Sequence, residues 1–328
     1  MGDNMNIVWA VVLLVGGLVI LWKSAELLVA GAVGLARRLG VSSLVVGLTV
    51  VAMGTSAPEL AASIAGALRE SGGGDLAVGN VFGSNIANLA LVGGLVALIR
   101  PLQVQRQTLR REIPVMLLVA LLLWPFLGNS YLARPEALVL LAAFATLILL
   151  TVHAAQREAE HTRNEAKNVK RDTRHEIRDT RKSVLFVIIG LAGLALGAKM
   201  AVEGAVYIGK DIFGLSERVI SLTIIAFGTS LPELVTCVVA AIKGHHDISV
   251  GNLIGSNIFN TLLVTGAAGT VKPFEVGPRL AGGTDYWIMM IISAAFAAAV
   301  ITGKRVIGRL AGALLLFAYV GYVIYLLT

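Results

Sequence analysis

Gly54-Thr55-Ser56-Ala57-Pro58-Glu59 places a proline and a carboxylate inside a run that is otherwise apolar enough to be a membrane helix. A closely related hexapeptide, GTSLPE, recurs at 228–233. On insertion scales a charged side chain at the centre of a bilayer costs about 2.5–3.5 kcal/mol, and a proline inside a helix costs about 3 kcal/mol. Because the chain accepts both costs twice, we expect the two segments to be functional.

Composition identifies the class of protein around these segments. Hydrophobic residues make up 56% of the 328 residues and charged residues 14%, against roughly 25% charged in an average soluble domain. The long apolar runs are rich in Leu, Val, Ile and Ala, and they lack the alternation of a membrane β-barrel. The sequence therefore predicts an all-α integral membrane protein.

Ten apolar runs are long enough to be transmembrane helices. They cover residues 7–30, 43–68, 75–99, 113–129, 134–153, 184–208, 218–242, 247–270, 285–303 and 306–327. A polar stretch with nine Lys or Arg and six Asp or Glu divides them five and five. We therefore predict a first repeat at 1–155, a charged linker at 156–182 and a second repeat at 183–328.

The two halves also repeat each other in sequence. GNVFGSNIAN at 79–88 matches GNLIGSNIFN at 251–260 at seven of ten positions, and the two hexapeptides lie 174 residues apart. Because each half has an odd number of spans, the second half enters the membrane inverted relative to the first. Inverted repeats with broken helices near the bilayer midplane are characteristic of secondary transporters. We thus expect ten transmembrane helices in two inverted five-helix repeats, broken at Pro58 and Pro232 at the midplane.

Positive charges in the loops indicate the orientation. Nineteen of the 27 Lys and Arg residues lie in loops after odd-numbered spans, and six lie in loops after even-numbered spans. Cytoplasmic loops of membrane proteins carry the excess of positive charge. The odd loops, including 156–182, are therefore predicted to be cytoplasmic, with both termini outside.

Glu59 and Glu233 are the strongest candidates for a binding site. Each follows a proline, which lacks the N–H that would bond a carbonyl four residues earlier, and the freed carbonyl needs a polar partner in the membrane. Carboxylates, hydroxyls and carbonyls form an all-oxygen site that suits Ca²⁺ and Na⁺ better than Zn²⁺ or Cu²⁺. The alternative is a pair of protonated Glu side chains bonded to neighbouring helices, which leaves the duplicated proline break unexplained.

The second repeated motif supplies further polar side chains. Ser84 and Asn88 are four residues apart and lie on one helix face, as do Ser256 and Asn260. We expect these two faces to form the other wall of the ion site.

Other polar residues in the spans have a structural interpretation. Asp75 and Asp247 begin the third and eighth spans and are expected to act as helix N-caps. Two pairs on the first and sixth spans are expected to form local ion pairs that ease burial: Lys23 with Glu26, and Lys199 with Glu203.

Together the two motifs resemble the signature repeats of the sodium/calcium exchanger family, within the calcium:cation antiporter superfamily, and particularly its bacterial and archaeal branch. The resemblance covers nearly the whole chain. Transferred position by position, it implies that Glu59, Glu233 and the backbone carbonyls of Thr55 and Thr229 hold Ca²⁺. It implies that the flanking Na⁺ sites and the central ring include Ala52, Ser56, Ser84, Ala226, Ser230 and Ser256, with Asn88 and Asn260 in the ring.

The resemblance implies a secondary antiporter that exchanges Na⁺ for Ca²⁺ by alternating access at the shared Glu pair. Ca²⁺ and Na⁺ are then transported substrates, no cofactor and no enzymatic activity are expected, and the location is a bacterial or archaeal plasma (inner) membrane. Some family members carry Asp where this chain has Asn260, so the chain has two acidic groups rather than three. An H⁺/Ca²⁺ exchanger or a K⁺-dependent Na⁺/Ca²⁺ exchanger of the same fold is therefore the alternative.

Two further classes of function fit the sequence less well. A cation channel would usually assemble identical subunits around a pore, whereas this chain holds both halves of its own site. We therefore expect a functional monomer surrounded by membrane lipid, with no nucleic-acid partner. An intramembrane enzyme would need a His-Glu-x-x-His motif or a nucleophile paired with a base, and neither is found on the spans.

Overall fold

A computed structural model describes residues 6–165, 173–216, 220, 224 and 226–327, while the side chains of residues 158–179 and of Ala226 lie outside that description. Over this part of the chain the fold is helical apart from four two-residue strands, which confirms the predicted all-α class. The helices are α1 (Ile7–Leu39), α2 (Ser43–Thr55), α3 (Ala57–Ala67), α4 (Gly73–Ile99), α5 (Ile113–Leu127), α6 (Arg134–Glu165), α7 (Thr173–Tyr207), α8 (Ala226–Thr229), α9 (Leu231–Ile242), α10 (His246–Val271), α11 (Thr284–Thr302) and α12 (Arg309–Leu327). The strands are β1 (Leu102–Gln103), β2 (Tyr131–Leu132), β3 (Phe274–Glu275) and β4 (Val306–Ile307).

Five π-helical turns interrupt or extend these helices in the described residues. They are Gly47–Val51 within α2, Ala87–Val92 within α4, Thr108–Glu112 before α5, Ile208–Ile212 after α7 and Asn260–Val264 within α10. π-Helical turns are rare and occur frequently at functional sites. Two of them contain predicted site residues.

Among the described helices, seven are long and apolar enough to cross a membrane, and the bent pair α2 and α3 makes an eighth. The other two predicted spans correspond to the 15-residue α5 and to the short α8 and α9. Most of the segment 217–225 before α8 lies outside the described residues. The count of ten spans therefore stays a prediction.

The predicted linker borders on two long helices. α6 extends to Glu165 and α7 begins at Thr173, so helices enter the stretch 156–182 from both ends, and residues 166–172 lie outside the description. The division into two repeats and a linker stays a prediction.

α1 is held at both ends by residues that suit helix termini. Asn6 Oδ1 accepts a hydrogen bond from the Trp9 N–H at 2.9 Å, and Gly40 ends the helix with φ 69°. Arg37 and Arg38 lie in the last turn, where positive charge is favoured. The helix therefore continues past the apolar run 7–30, and the predicted end of that span was too early.

The short strands join loops at opposite ends of the molecule. β1 pairs with β4, which links the loops after α4 and α11, and β2 pairs with β3, which links the loops after α5 and α10. On the first side, which we call the β1/β4 face, Arg100 Nη1 donates to the carbonyl of Ile242 at 2.6 Å. On the second, the β2/β3 face, Lys272 Nζ donates to the carbonyl of Arg69 at 2.8 Å. Every loop on the β1/β4 face follows an odd-numbered predicted span.

α1 and α7 pack along each other through glycines. A methyl group added at Gly17 would lie 2.6 Å from the backbone nitrogen of Ala201, and one at Gly31 would lie 2.8 Å from the carbonyl oxygen of Ser183. Such close approach of two backbones is typical of small-residue interfaces between membrane helices. The pair therefore forms a tightly apposed unit along one side of the molecule.

The two predicted ion pairs on these helices are confirmed. Lys23 Nζ lies 3.1 Å from Glu26 Oε2, and Lys199 Nζ lies 3.9 Å from Glu203 Oε1. Glu26 has a second partner that the sequence did not predict, because Lys243 Nζ, just beyond the end of α9, lies 3.2 Å from its Oε1.

Candidate ion-binding site

Both hexapeptides fold with the same local geometry. α2 ends before Ser56, whose φ and ψ are −86° and 10°, and α3 begins immediately after it at an angle of 45°. Ser230, between α8 and α9, has φ −87° and ψ 3°. Pro58 and Pro232 are each the second residue of the helix that follows, where the missing N–H leaves no hydrogen bond broken. Each Glu consequently lies in the first turn of a helix, where the helix dipole favours a negative charge.

Glu59 and Glu233 are buried together. Their exposed fractions are 0% and 1%, and their charges are close enough to interact. Ser56 Oγ donates to Glu233 Oε1 at 2.7 Å, so the first hexapeptide supplies a hydroxyl to the acid of the second. Within the described part of the chain, both carboxylate oxygens of Glu59 and Oε2 of Glu233 have no hydrogen-bond partner. A buried carboxylate without a partner is strongly unfavourable, and this arrangement therefore favours a bound cation.

Asn88 and Asn260 add four more polar atoms in the same condition. Both side chains are fully buried, and neither the Oδ1 nor the Nδ2 atom of either residue has a partner among the described residues. Each Asn lies in a π-helical turn, Ala87–Val92 in α4 and Asn260–Val264 in α10. The turn of α4 packs against α9, and the turn of α10 packs against α3. Each Asn-bearing turn therefore faces the broken helix that carries the other repeat's Glu.

The remaining predicted ligands lie in or beside this buried region. Ala52, Ser56, Ser230 and Ser256 are at most 1% exposed, as is Thr55, while Ser84 is 4% exposed and Thr229 is half-buried. The hydroxyls of Ser230 and Ser256 have no partner among the described residues. Ala226 begins α8, but its side chain lies outside the description.

Few acidic groups are available to an ion here. The described residues contain no cluster of three or more His, Cys, Asp or Glu side chains that could hold a metal. The donors at the site are thus two carboxylates surrounded by neutral amide, hydroxyl and carbonyl groups. Such a set suits hard cations, since Ca²⁺ takes six to eight oxygen ligands from carboxylates, carbonyls, amides and water.

A cavity of about 740 Å³ connects the β2/β3 face with this region. Its lining begins at Arg69 and Gly277 in the loops of that face and includes Ser84 and Thr229, two of the predicted ligands. α3, α4 and α12 form its walls. The site is therefore accessible from one side in this conformation.

Sequence analysis assigned two acidic residues the wrong role. Asp75 and Asp247 are not N-caps, because α4 and α10 begin before them and neither side chain caps its helix. Asp75 Oδ1 accepts from the Gly277 N–H at 2.6 Å, and Asp247 Oδ2 accepts from Gln105 Nε2 at 2.8 Å. Each fixes a loop on its own face of the molecule, a contact between distant segments that spacing cannot indicate.

Two asparagines beside the site were missed. Asn252 Oδ1 accepts from Thr55 Oγ1 at 3.2 Å, and Asn80 Nδ2 donates to the carbonyl of Glu59 at 3.1 Å. Their signal in the sequence was identity in both copies of the second motif, where each follows the first glycine. The polarity of the neighbouring Ser and Asn residues drew attention away from them.

The chain is similar to proteins of one family over nearly all of its length. A family model described as sodium/calcium exchanger protein matches residues 9–152 and 182–328. The sodium/calcium exchanger MaX1 of Methanosarcina acetivorans is 35% identical over 341 residues, covering 94% of this chain and 96% of that protein. Inner membrane protein YrbG of Escherichia coli K12 is 39% identical over 288 residues, covering 88% and 87%.

Solved structures agree with this similarity. The sodium/calcium exchanger from Methanococcus jannaschii superposes on the chain with a TM-score of 0.80 and 29% sequence identity, over 97% of this chain and 98% of that one. A structure of the archaeal exchanger NCX_Mj soaked with zero Na⁺ and Ca²⁺ gives a TM-score of 0.81 at 28% identity.

Proposed function

The chain belongs to the sodium/calcium exchanger family, and we propose that it exchanges Na⁺ for Ca²⁺ at the Glu59–Glu233 pair. Membership of this family makes it an integral membrane cation/Ca²⁺ antiporter rather than an enzyme, with ions as its substrates. The coupling ion and the residues that bind it form the proposal.

The observation that carries the proposal is the set of buried oxygens without partners. Glu59 offers two carboxylate oxygens, Glu233 offers one, and the amide oxygens of Asn88 and Asn260 lie on turns packed against the helices that bear these acids. Two carboxylates neutralise one Ca²⁺, which offsets the cost of their burial. With the backbone carbonyls of Thr55 and Thr229, which the family resemblance adds, they supply enough oxygens for Ca²⁺.

Na⁺ competes for the same carboxylates from flanking positions. We assign these positions to Ala52, Ser56 and Ser84 on one side and to their equivalents Ala226, Ser230 and Ser256 on the other. An empty site carries two uncompensated buried charges, so it is reluctant to change conformation until ions arrive. Exchange is then obligatory, because movement in each direction needs a bound cation.

An inverted repeat is the architecture that gives this site access from both sides in turn. Its support lies in the reciprocal contacts of α1 and α7 at a separation of 173 residues. Gly17 approaches Ala201 and its equivalent Gly190 approaches Leu28, and both residues have been shifted by 173. We propose that the ten spans form two such five-helix repeats with their proline breaks at the midplane. Both acids come from one chain, so the functional unit is a monomer in lipid.

The cavity opens to the outside in the orientation that we propose. Its mouth lies at the β2/β3 face, whose loops carry few positive charges, while the β1/β4 face carries the cytoplasmic excess of Lys and Arg. In bacterial inner-membrane vesicles of known sidedness, a cysteine at exposed Glu70 should react only from the periplasmic side. One at exposed Lys304 should react only from the cytoplasmic side, and the reverse pattern would invert the proposed topology.

The decisive experiment is ⁴⁵Ca²⁺ uptake by proteoliposomes of the purified chain under one imposed ion gradient at a time. We expect an outward Na⁺ gradient to drive uptake, with equimolar choline as the control for osmotic effects. Uptake driven by a pH gradient in the absence of Na⁺ would identify an H⁺/Ca²⁺ exchanger. A requirement for K⁺ on the side that holds Ca²⁺ would identify the K⁺-dependent type.

A further inference from the structure

α10 presents a face of small residues that α2 covers completely. A methyl group added at Gly251 would lie 2.8 Å from the carbonyl oxygen of Leu44, and one at Gly255 would lie 2.5 Å from that of Leu48. These distances are shorter than any ordinary contact of a side-chain carbon. The two backbones are therefore in direct contact, and no path for an ion remains between them.

A hydrogen bond between the repeats lies at the end of this covered face. Thr55 Oγ1, on the last residue of α2, donates to Asn252 Oδ1 at 3.2 Å, and both side chains are at most 1% exposed. The amide nitrogen of Asn252 donates to Cys237 Sγ at 3.3 Å, within its own repeat. Asn252 is thus anchored through its nitrogen and offers its oxygen to the helix of the other repeat.

The equivalent face of α4 is open. A methyl group added at Gly83 would have no neighbour within 4 Å, and one at Gly79 would meet only the end of the Leu280 side chain at 4.0 Å. Gly79, Asn80 and Gly83 all line the cavity, together with Thr229, which is the equivalent of Thr55. Where α2 covers one glycine face, water and ions have access to the other.

Asn80 is anchored in the same way as its equivalent. Its amide nitrogen donates to Ser63 Oγ at 2.8 Å, and Ser63 corresponds to Cys237 at the separation of 174 residues. The same nitrogen lies 3.1 Å from the carbonyl oxygen of Glu59. With the nitrogen held by its own repeat, the oxygen of Asn80 is the end of the amide that remains for a residue across the cavity.

Resting on the exchange function proposed above, we infer that Asn252 and Asn80 are positioning residues that hold the two access paths shut in turn. In the conformation described, Asn252 accepts the Thr55 hydroxyl and closes the path to the β1/β4 face. When the cavity closes, Asn80 accepts the Thr229 hydroxyl and the glycine face of α4 is covered. An amide serves both states because it can be anchored by its donor end and remain uncharged beside the ion site.

Chemical labelling tests this inference without measuring transport. Gly83→Cys adds a thiol to the cavity wall without a clash, and the native Cys237 is fully buried, so the unmodified chain gives the background. The probe is a charged, membrane-impermeant methanethiosulfonate applied to proteoliposomes in choline buffer free of Na⁺ and Ca²⁺. The reaction rate at residue 83 reports how much of the protein is open to the β2/β3 face.

Two matched substitutions should move this rate in opposite directions. In the Gly83→Cys chain, Asn252→Ala removes the bond that closes the far side and should slow labelling by at least about threefold, as expected for loss of one buried hydrogen bond. Asn80→Ala should leave labelling as fast or faster. Thr55→Val should reproduce the effect of Asn252→Ala, and combining the two should add little further change.

A merely structural role would give a different result. General destabilisation by the two Asn→Ala changes would shift labelling in the same direction or leave it unchanged, and either outcome would overturn the inference. Failure of the exchange function is separately detectable, because the labelling rates do not depend on Na⁺-driven Ca²⁺ flux. If flux is absent but the rates shift in opposite directions, the positioning role stands and only the identity of the transported ions is wrong.

Discussion

Two helix pairs in this molecule have opposite surroundings. α4 and α10 are 78% and 94% buried over their apolar windows, and they carry the polar side chains of the ion site. α1 and α7 are 22% and 33% buried over theirs, and glycines join them to each other. Binding is therefore located on helices enclosed by protein, and the smoothest helix contact lies where lipid can yield. The comparison suggests that the enclosed pair sets ion affinity and the peripheral pair sets the rate of conformational change.

The largest effect should come from removing a charge at the enclosed site. Glu59→Gln or Glu233→Gln leaves a single buried carboxylate, and we expect Ca²⁺ flux to fall by at least about 100-fold, since loss of one partner in a buried charged site costs about 2–5 kcal/mol. ⁴⁵Ca²⁺ uptake in proteoliposomes measures this. Exposed Glu70→Gln is the matched control and should transport normally. Normal uptake by either site variant would exclude that residue from the mechanism.

The next largest effect should distinguish affinity from rate at the peripheral pair. Gly17→Ala places a methyl group 2.6 Å from the backbone of α7, and overpacking of this kind costs about 1–3 kcal/mol. We expect the maximal exchange rate to fall about tenfold while the Ca²⁺ concentration for half-maximal uptake stays nearly constant.

The neighbouring glycine provides the control for that change. Gly16→Ala brings its methyl group no closer than 3.8 Å to the flexible end of Met200, which is an ordinary contact. It should behave like the unmodified chain. A loss of Ca²⁺ affinity in Gly17→Ala, rather than a loss of rate, would contradict the division of roles between the two helix pairs.

A smaller effect of the opposite kind is expected within the enclosed pair. Asn88→Ala removes a neutral ligand but no charge, and the Ca²⁺ concentration for half-maximal uptake should rise by roughly tenfold, in line with one charge-assisted hydrogen bond or ligand. The maximal rate should change much less. Ser293→Ala, a buried serine on α11 that donates to its own helix, should leave both quantities unaltered.

The smallest effect is expected where the two pairs' surroundings meet solvent. Glu26→Gln weakens the ion pairs with Lys23 and Lys243, whose side chains are 71% and 41% exposed. Exposed ion pairs contribute about 0–1 kcal/mol and are screened by salt. We expect exchange to change by no more than about fivefold at low ionic strength and to return to normal in 0.5 M choline chloride. A larger effect that resists salt would indicate that this ion pair controls the conformational equilibrium.

The broad features of the fold and the burial of the two acids could be predicted from the sequence. Composition alone excludes a soluble protein, and a proline next to a glutamate inside an apolar run indicates a break with a charged group that needs a partner. The identical backbone angles of Ser56 and Ser230 follow from the identical motif. These are local properties, and repetition of the motif doubled the signal for each of them.

Contacts between the repeats could not be predicted in the same way. Asn80 and Asn252 occupy equivalent positions in identical sequence surroundings, yet one lines a cavity and the other is fully buried. The difference arises from the conformation of the whole molecule, which two copies of one motif cannot specify. The π-helical turns that hold Asn88 and Asn260 likewise depend on packing against the broken helices rather than on residue propensity.

The bond from Ser56 to Glu233 makes the two acids chemically unequal in this conformation. Glu233 already shares one oxygen with a hydroxyl, whereas both oxygens of Glu59 are unengaged within the described residues. A cation arriving through the cavity therefore meets Glu59 as its first strong ligand and recruits Glu233 second. With the repeats exchanged, the same logic runs backwards, so the order in which ions load and leave is written into the handedness of one hydroxyl.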